Sequence, residues 1–351
     1  MYHVILAGGS GTRFWPYSRK TKPKQMLKIL GNQSMISLTI DRILEFSSID
    51  KIYIVASKSL CKLIYKEIPD IPQNNLIVEP EGRNTAPAIG LAAIHLYKKD
   101  PDATMSIYPA DQLIENQEEF ISSMNLAEKI AGKNSSLLTI GIVPTYPATG
   151  YGYIQYKKND KNEDYYDVKT FAEKPPYDTA ISFIESGDFL WNSGIFVWNA
   201  KTILLEIKNL MPDLHDSLSA IYDSINTSDY KIVLKQEWNV IKSESIDYGI
   251  LEKAKNVCVI PGKFKWIDVG SWKSLFELMK KDDNNYFDGN VITIDTQDSL
   301  IISPDKLTAV IGMKDVAIIN VNDATLVMPI SRSEEVKDIV NLLNKKKKEY
   351  L

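Results

Sequence analysis

Cysteine and histidine are scarce in this sequence: two cysteines and three histidines stand among 351 residues. Cys61 and Cys258 lie far apart, with neither metal-ligand spacing nor the density of a disulfide scaffold. That fits a reducing compartment and two small core residues. His3, His95 and His215 offer no partner set for a zinc site or a catalytic triad, so each reads as structural or exposed. Long apolar runs are missing as well, and no stretch reaches the length a bilayer span needs. The chain opens Met1-Tyr2-His3-Val4-Ile5-Leu6-Ala7-Gly8-Gly9, without the basic leader of a signal peptide, so the cytoplasm is the expected location. Nor is there an excess of one charge. Forty-one basic against 45 acidic side chains leave a net charge of −4, which argues against a nucleic-acid or membrane-surface partner. Any phosphate site must therefore be local.

What the sequence does hold is an ordinary globular composition, 44% hydrophobic and 25% charged, in a chain long enough for two domains. Strand-like and helix-like segments alternate through 2–7, 34–45, 51–56, 59–68, 76–79, 85–98, 104–108, 117–131 and 137–142. The strand candidates are short, rich in Val, Ile and Leu, and barely alternate, as expected when helices cover both faces. This predicts an α/β fold with a doubly wound, mostly parallel sheet, with ligands at the C-terminal ends of its strands. From 145 to 289 short strands, aromatic-rich turns and helices continue the same domain. Near Asp283 the character changes to short β-runs at 290–295, 299–303, 308–311, 316–320 and 325–328. The predicted domains are 1–282 and a small β-domain at 283–351. Its last segment, 333–348, reads as an amphipathic helix with Ser333 as cap, a stripe of Val336, Ile339, Val340 and Leu343, and a solvated lysine end.

The connection from Ala7 to Gln33 is unusually long and carries four glycines, two arginines and four lysines. Loops of that length inside a compact domain are usually functional. Its core is Gly8-Gly9-Ser10-Gly11-Thr12-Arg13, followed by Pro23-Lys24-Gln25. Glycines let backbone N–H groups turn around phosphate oxygens, and Arg13 and Lys24 supply countercharge, so the segment reads as an anion cradle. The glycines alone also suit a tight β-to-α turn. The third glycine of a dinucleotide fingerprint and the Gly-Lys-Ser/Thr of a P-loop are both absent.

A second block, Glu79-Pro80-Glu81-Gly82-Arg83-Asn84-Thr85-Ala86-Pro87-Ala88, ends one strand and opens a helix. Asn84 or Thr85 suits the cap, Pro87 the first turn, and the loop offers a purine pocket. Asp111, in Tyr108-Pro109-Ala110-Asp111, follows a buried strand, and Asp268 stands in Trp266-Ile267-Asp268-Val269-Gly270-Ser271-Trp272. Either aspartate alone suits a turn, while the two together suit Mg²⁺, a hard cation that takes one or two carboxylates plus phosphate oxygens. Three further blocks, at 149–154, 171–175 and 191–196, combine amides, carboxylates, a lysine and aromatics in the manner of a sugar-phosphate pocket. Trp198 reads as core.

Taken in order, these blocks resemble the mannose-1-phosphate guanylyltransferases, within the wider sugar-phosphate nucleotidyltransferase family, almost from end to end. Trp15-Pro16, Ser18-Arg19, Glu173-Lys174-Pro175, Trp191-Asn192-Ser193-Gly194 and Ser245-Ile246-Asp247-Tyr248 belong to the match. The resemblance implies a Rossmann-like catalytic domain and a small left-handed β-helix, often used in self-association, hence a homodimer. It implies that Arg13 and Lys24 hold the triphosphate and Lys174 the sugar phosphate. Leu6, Ala7, Gly8, Gly9, Gly11, Thr12, Arg83, Asn84 and Thr85 would contact the nucleotide. Gly150, Glu173 and Asn192 would surround the hexose, with Asp111 and Asp268 binding Mg²⁺. The chain departs from the family at Phe14 and Tyr17, where leucine is common, and at Gln112, where histidine is common. Longer relatives carry a fused isomerase domain, and with the sequence ending soon after the β-domain only the transferase activity is expected.

The implied reaction is in-line attack of a sugar-1-phosphate oxygen on the α-phosphorus of GTP, expelling pyrophosphate, with no covalent enzyme intermediate. Other readings are a relative using glucose- or heptose-1-phosphate or another nucleotide, and a regulatory subunit that binds a nucleotide sugar without turnover. A dinucleotide-dependent oxidoreductase conflicts with the glycine spacing.

Overall fold

The computed structural model describes residues 1–9, 11–29, 31–133, 135–157, 164–279 and 284–351. Ser10 of the glycine turn and the expected domain boundary at 282–283 lie outside them. The chain forms two compact units that are interleaved in sequence. One comprises Met1–Gly8, Ile40–Ala110 and Ile114–Trp266, and the other Gly9–Thr39, Asp111–Leu113 and Ile267–Leu351.

The first unit is built on a nine-stranded sheet. Its strands are β1 (Tyr2–Leu6), β2 (Ile52–Ser57), β3 (Leu76–Glu79), β4 (Thr104–Pro109), β5 (Leu137–Ile142), β6 (Gly152–Tyr156), β7 (Tyr166–Glu173), β8 (Phe189–Asn199) and β9 (Val257–Gly262). They lie in the order β3-β2-β1-β4-β8-β5-β9-β7-β6. β3, β2, β1 and β4 are mutually parallel, as are β5 and β9, which is the arrangement the unalternating early segments predict. The antiparallel pairs come from β8, which enters between β4 and β5, and from β7 and β6. These are the strands of the mixed region after 145.

The continuous apolar strands explain the core. Val4, Ile5, Ile54, Ala56, Met105 and Ile107 are sealed from solvent together with Trp198, which fills the core as expected. Helix α1 (Thr85–Lys99) is rich in small residues, and at Gly90 a Cβ would lie 2.5 Å from Leu218 of α2 (Pro212–Ser224). A side chain there would push the Leu218 methyl aside, so the glycine lets the two helices pack closely. Both cysteines are buried. His3 contacts Ser106 and Tyr108 at 2.9 and 3.1 Å, and His95 contacts Tyr230 at 2.8 Å, so these two histidines are structural.

The second unit carries β10 (Tyr286–Ile294), β11 (Leu300–Ile311), β12 (Val316–Val321) and β13 (Ala324–Pro329). β10, β11 and β12 stack in parallel, and β13 returns antiparallel to β12. The coil bends at Gly289, whose φ is 85°, and where a Cβ would lie 2.3 Å from the Ser303 carbonyl oxygen. Helices α3 (Trp272–Met279) and α4 (Val336–Lys346) complete the unit. The expected terminal helix therefore starts three residues late. Ser333 does not cap it: it lies in the turn Ile330–Glu335, buried, with its hydroxyl 3.3 Å from that of Ser271. Among the described residues no helix is long and apolar enough to cross a membrane.

Candidate active site

In the first unit, the ends of β1 and β3 meet. Ala7 N–H donates to the Val55 carbonyl at 2.9 Å, and a Cβ on Gly8 would lie 2.7 Å from Glu79 Oε1. Only glycine fits there while the carboxyl keeps its place. Glu79 is almost fully buried, and burial raises its pKa to about 7. Beyond it the chain turns into α1. Asn84, in the left-handed region at φ 69°, caps the helix by accepting from Thr85 N–H at 2.8 Å. The Thr85 hydroxyl accepts from Ile246 N–H at 2.8 Å and so braces the loop. Arg83 pairs with Glu81 at 3.0 Å, while its Nε is buried with no hydrogen-bond partner. A buried donor left unmade suits a loop that waits for an acceptor.

Elsewhere in this unit, Glu173, Lys174, Asn192 and Asp247 converge. Asn192 Nδ2 donates to Asp247 Oδ1 at 2.8 Å, and Asn192 Oδ1 accepts from Gly194 N–H at 3.1 Å. Lys174, held at φ 49°, places its ammonium on the Glu173 carboxylate. Burial and then the nearby Glu173 raise the Asp247 pKa to about 6, against the pull of Asn192 and Lys174. Trp191 is flanked edge-on by Tyr146 and Tyr151, with centroids 4.9 and 5.2 Å away. This is an aromatic wall beside carboxylates and amides. Gly150 is exposed and a Cβ there would meet nothing within 4 Å, so steric need for glycine falls on Gly152 instead, where a Cβ would strike Glu173 Oε2.

The second unit gathers the charged groups of the expected anion cradle. Gly11 has φ 59°, and a Cβ on it would lie 2.2 Å from Lys24 Cβ, so glycine is required twice over. Thr12–Phe14 then forms a single helical turn. Lys24 is buried, and its Nζ donates to Asp111 Oδ2 at 2.5 Å. Gln25 closes on the loop by donating to the Gly9 carbonyl at 2.8 Å. Asp268 feels burial first and Asp111 second, both raising its pKa, to about 6, while Lys24 and Arg13 oppose them. The carboxylates Asp111 and Asp268 thus repel each other. A divalent cation would relieve that repulsion, and hard carboxylate oxygens suit Mg²⁺. Among the described residues no three His, Cys, Asp or Glu side chains gather as metal ligands, so phosphate oxygens would complete the shell.

The sequence singled out most of the charged residues of these clusters, but not all. Gln25, Glu79, Glu81 and Asp247 stood in its motifs without a role, and Glu334, whose carboxylate lies 2.6 Å from Arg13 Nε, had no link to the cradle. An acidic residue ending an apolar strand was the available signal for Glu79. For Asp247 the signal was its place in the matched block 245–248, while Glu334 gave none beyond its residue type.

A glycine turn with a buried and a paired cation, two repelling carboxylates and a mixed sheet with a parallel core suit a nucleotidyltransferase. The model of that family, described as nucleotidyl transferase, matches residues 2–285, and one described as a MannoseP isomerase/GMP-like beta-helix domain matches 289–343. A mannose-1-phosphate guanylyltransferase of Klebsiella pneumoniae is 36% identical over 97% of this chain and 73% of its own length. One from Salmonella typhimurium is 37% identical over 97% and 72%. A crystal structure described as mannose-1-phosphate geranyltransferase, from Thermus thermophilus, superposes with a TM-score of 0.87 at 26% identity, covering 98% of this chain and 99% of that one. The chain belongs to the nucleotidyl transferase family, among the mannose-1-phosphate guanylyltransferases.

Proposed function

We propose that the protein transfers the guanylyl group of GTP to mannose-1-phosphate, forming GDP-mannose and pyrophosphate. The observation that carries this reading is the cluster of Arg13, Lys24, Asp111 and Asp268 beside the Gly11 turn. Two cations suit a triphosphate, and two carboxylates suit the cation that travels with it. The choice of guanine and mannose rests on the names of the Klebsiella and Salmonella relatives.

The nucleophile is a phosphate oxygen of the sugar phosphate. A phosphate monoester is largely dianionic at neutral pH, its second pKa being about 6, so no strong general base is needed. Buried His3 and half-buried His95, with pKa values pushed down to about 3 and about 4 by desolvation, agree with that. Catalysis then consists of alignment and charge neutralisation. Arg13 and Lys24 hold the triphosphate, and the Lys24 bond to Asp111 fixes the ammonium in place. Lys174 meets the phosphate of the sugar, and Glu173, Asn192 and Asp247 accept and donate to its hydroxyls. Asp111 and Asp268 would hold Mg²⁺, which when bound neutralises charge on the phosphate oxygens.

A homodimer and a cytoplasmic setting complete the proposal. Ile294 and Ile311 are paired in register across β10 and β11, and both are exposed, as is Ile292. This apolar row on the β-domain supports self-association. The buried thiols of Cys61 and Cys258 support a reducing compartment.

The test is pyrophosphate release with GTP, ATP, UTP or dTTP paired with mannose-1-phosphate or glucose-1-phosphate. Release confined to GTP with mannose-1-phosphate supports the reading. Release with another pair would move the specificity, and none with any pair would contradict the activity.

A further inference from the structure

Within the second unit, the turn that carries Arg13 is built on the C-terminal segment of the chain. Phe14 is sealed from solvent, and with Trp15 it shares one core with Trp272, Ile330, Val336 and Val340. Trp15 Nε1 donates to the Tyr350 carbonyl at 2.8 Å, and Trp272 Nε1 donates to the Trp15 carbonyl at 3.1 Å. Arg19 reaches Asp323 Oδ1 at 2.7 Å and also the Tyr350 carbonyl. The turn Ile330–Glu335 is itself anchored by Ile330 N–H on the Asp315 carbonyl at 2.9 Å and by buried Ser333 against Ser271. Glu334 therefore leaves a fixed piece of backbone, between buried Ser333 and buried Val336.

Two adjacent glutamates on this turn behave differently. Glu335 pairs with Arg332, three residues away on its own segment. Glu334 instead reaches Arg13, Oε2 to Nε at 2.6 Å. A carboxylate at Nε engages one of the five N–H donors of a guanidinium and leaves the rest for a phosphate.

We propose that Glu334 is a positioning residue for Arg13, through which the C-terminal segment holds the guanidinium ready for the triphosphate. The inference rests on the reading of Arg13 as a triphosphate ligand. The opposite effect is equally physical: a carboxylate beside a phosphate site repels phosphate, and Glu334 also pushes against Asp268. The sign of the effect on GTP binding separates the two.

The experiment is calorimetric titration of the full chain with GTP in Mg²⁺, without sugar phosphate. Both side chains of the pair are about half exposed, so Glu334→Ala should weaken binding by only about fivefold. Glu334→Gln, which keeps an acceptor oxygen, should lose less, and Glu335→Ala should bind like the native protein. In an Arg13→Ala background, Glu334→Ala should cause no further loss, and its melting midpoint should match that of Arg13→Ala alone. Equal or tighter binding by Glu334→Ala, or the same fold loss in both backgrounds, would overturn the inference. A native chain that fails to bind GTP, or an Arg13→Ala chain that binds it normally, would instead remove the role given to Arg13 and the inference with it.

Discussion

Lys24 donates its buried ammonium to Asp111 Oδ2 at 2.5 Å, which joins a cation suited to the triphosphate to a carboxylate suited to its metal. The pair makes the site sensitive from either side. Lys24→Ala should cut turnover by about a hundredfold or more, the usual scale for removing one stabilising donor. Circular dichroism and steady-state pyrophosphate release together check that the loss is chemical while the fold persists.

Asp268→Asn should raise the Mg²⁺ concentration needed for half-maximal activity and lower turnover at limiting Mg²⁺. Burial and Asp111 both disfavour charge at this position, so the free-protein fold should tolerate the amide. A Mg²⁺ titration of initial rates checks this. Full activity at limiting Mg²⁺ would exclude Asp268 as a ligand.

Glu79 gives a pH signature. Its pKa is raised to about 7 in the fold, above the ordinary glutamate value, so its contribution to stability is complete at low pH and is lost as pH rises through about 7. Glu79→Gln should therefore be more stable than the native chain near pH 8, by about 3 kcal/mol, and gain little near pH 4. Thermal unfolding of both proteins across pH 4–8 reads the difference. A gain that does not depend on pH would contradict it.

Gly11→Ala forces a side chain into the left-handed region and onto Lys24 Cβ, 2.2 Å away. It should lower kcat/KM at least about tenfold by displacing Lys24, beyond the ~1 kcal/mol a left-handed alanine costs by itself.

Much of this was legible in the sequence for local reasons. Glycine followed by Arg13, a strand ending at Glu79 and a cap at Asn84 are short-range patterns, and each forms as the pattern requires. The parallel strands β1 to β4 were legible because buried strands show unbroken apolar runs. The antiparallel entry of β8 was not, since its apolar run would serve either direction. Nor could spacing reveal that Gly9–Thr39 packs with Ile267–Leu351, because that depends on Phe14 and Trp15 finding Val336 and Val340. Ser333 had the right residue type for a cap, but its burial against Ser271 took the hydroxyl elsewhere.

The most direct measurement is the identity of the products. Phosphorus NMR of the purified chain with GTP, mannose-1-phosphate and Mg²⁺ should record GDP-mannose and pyrophosphate appearing in equal amounts as GTP disappears. GDP with free phosphate, or an unchanged spectrum, would contradict the account.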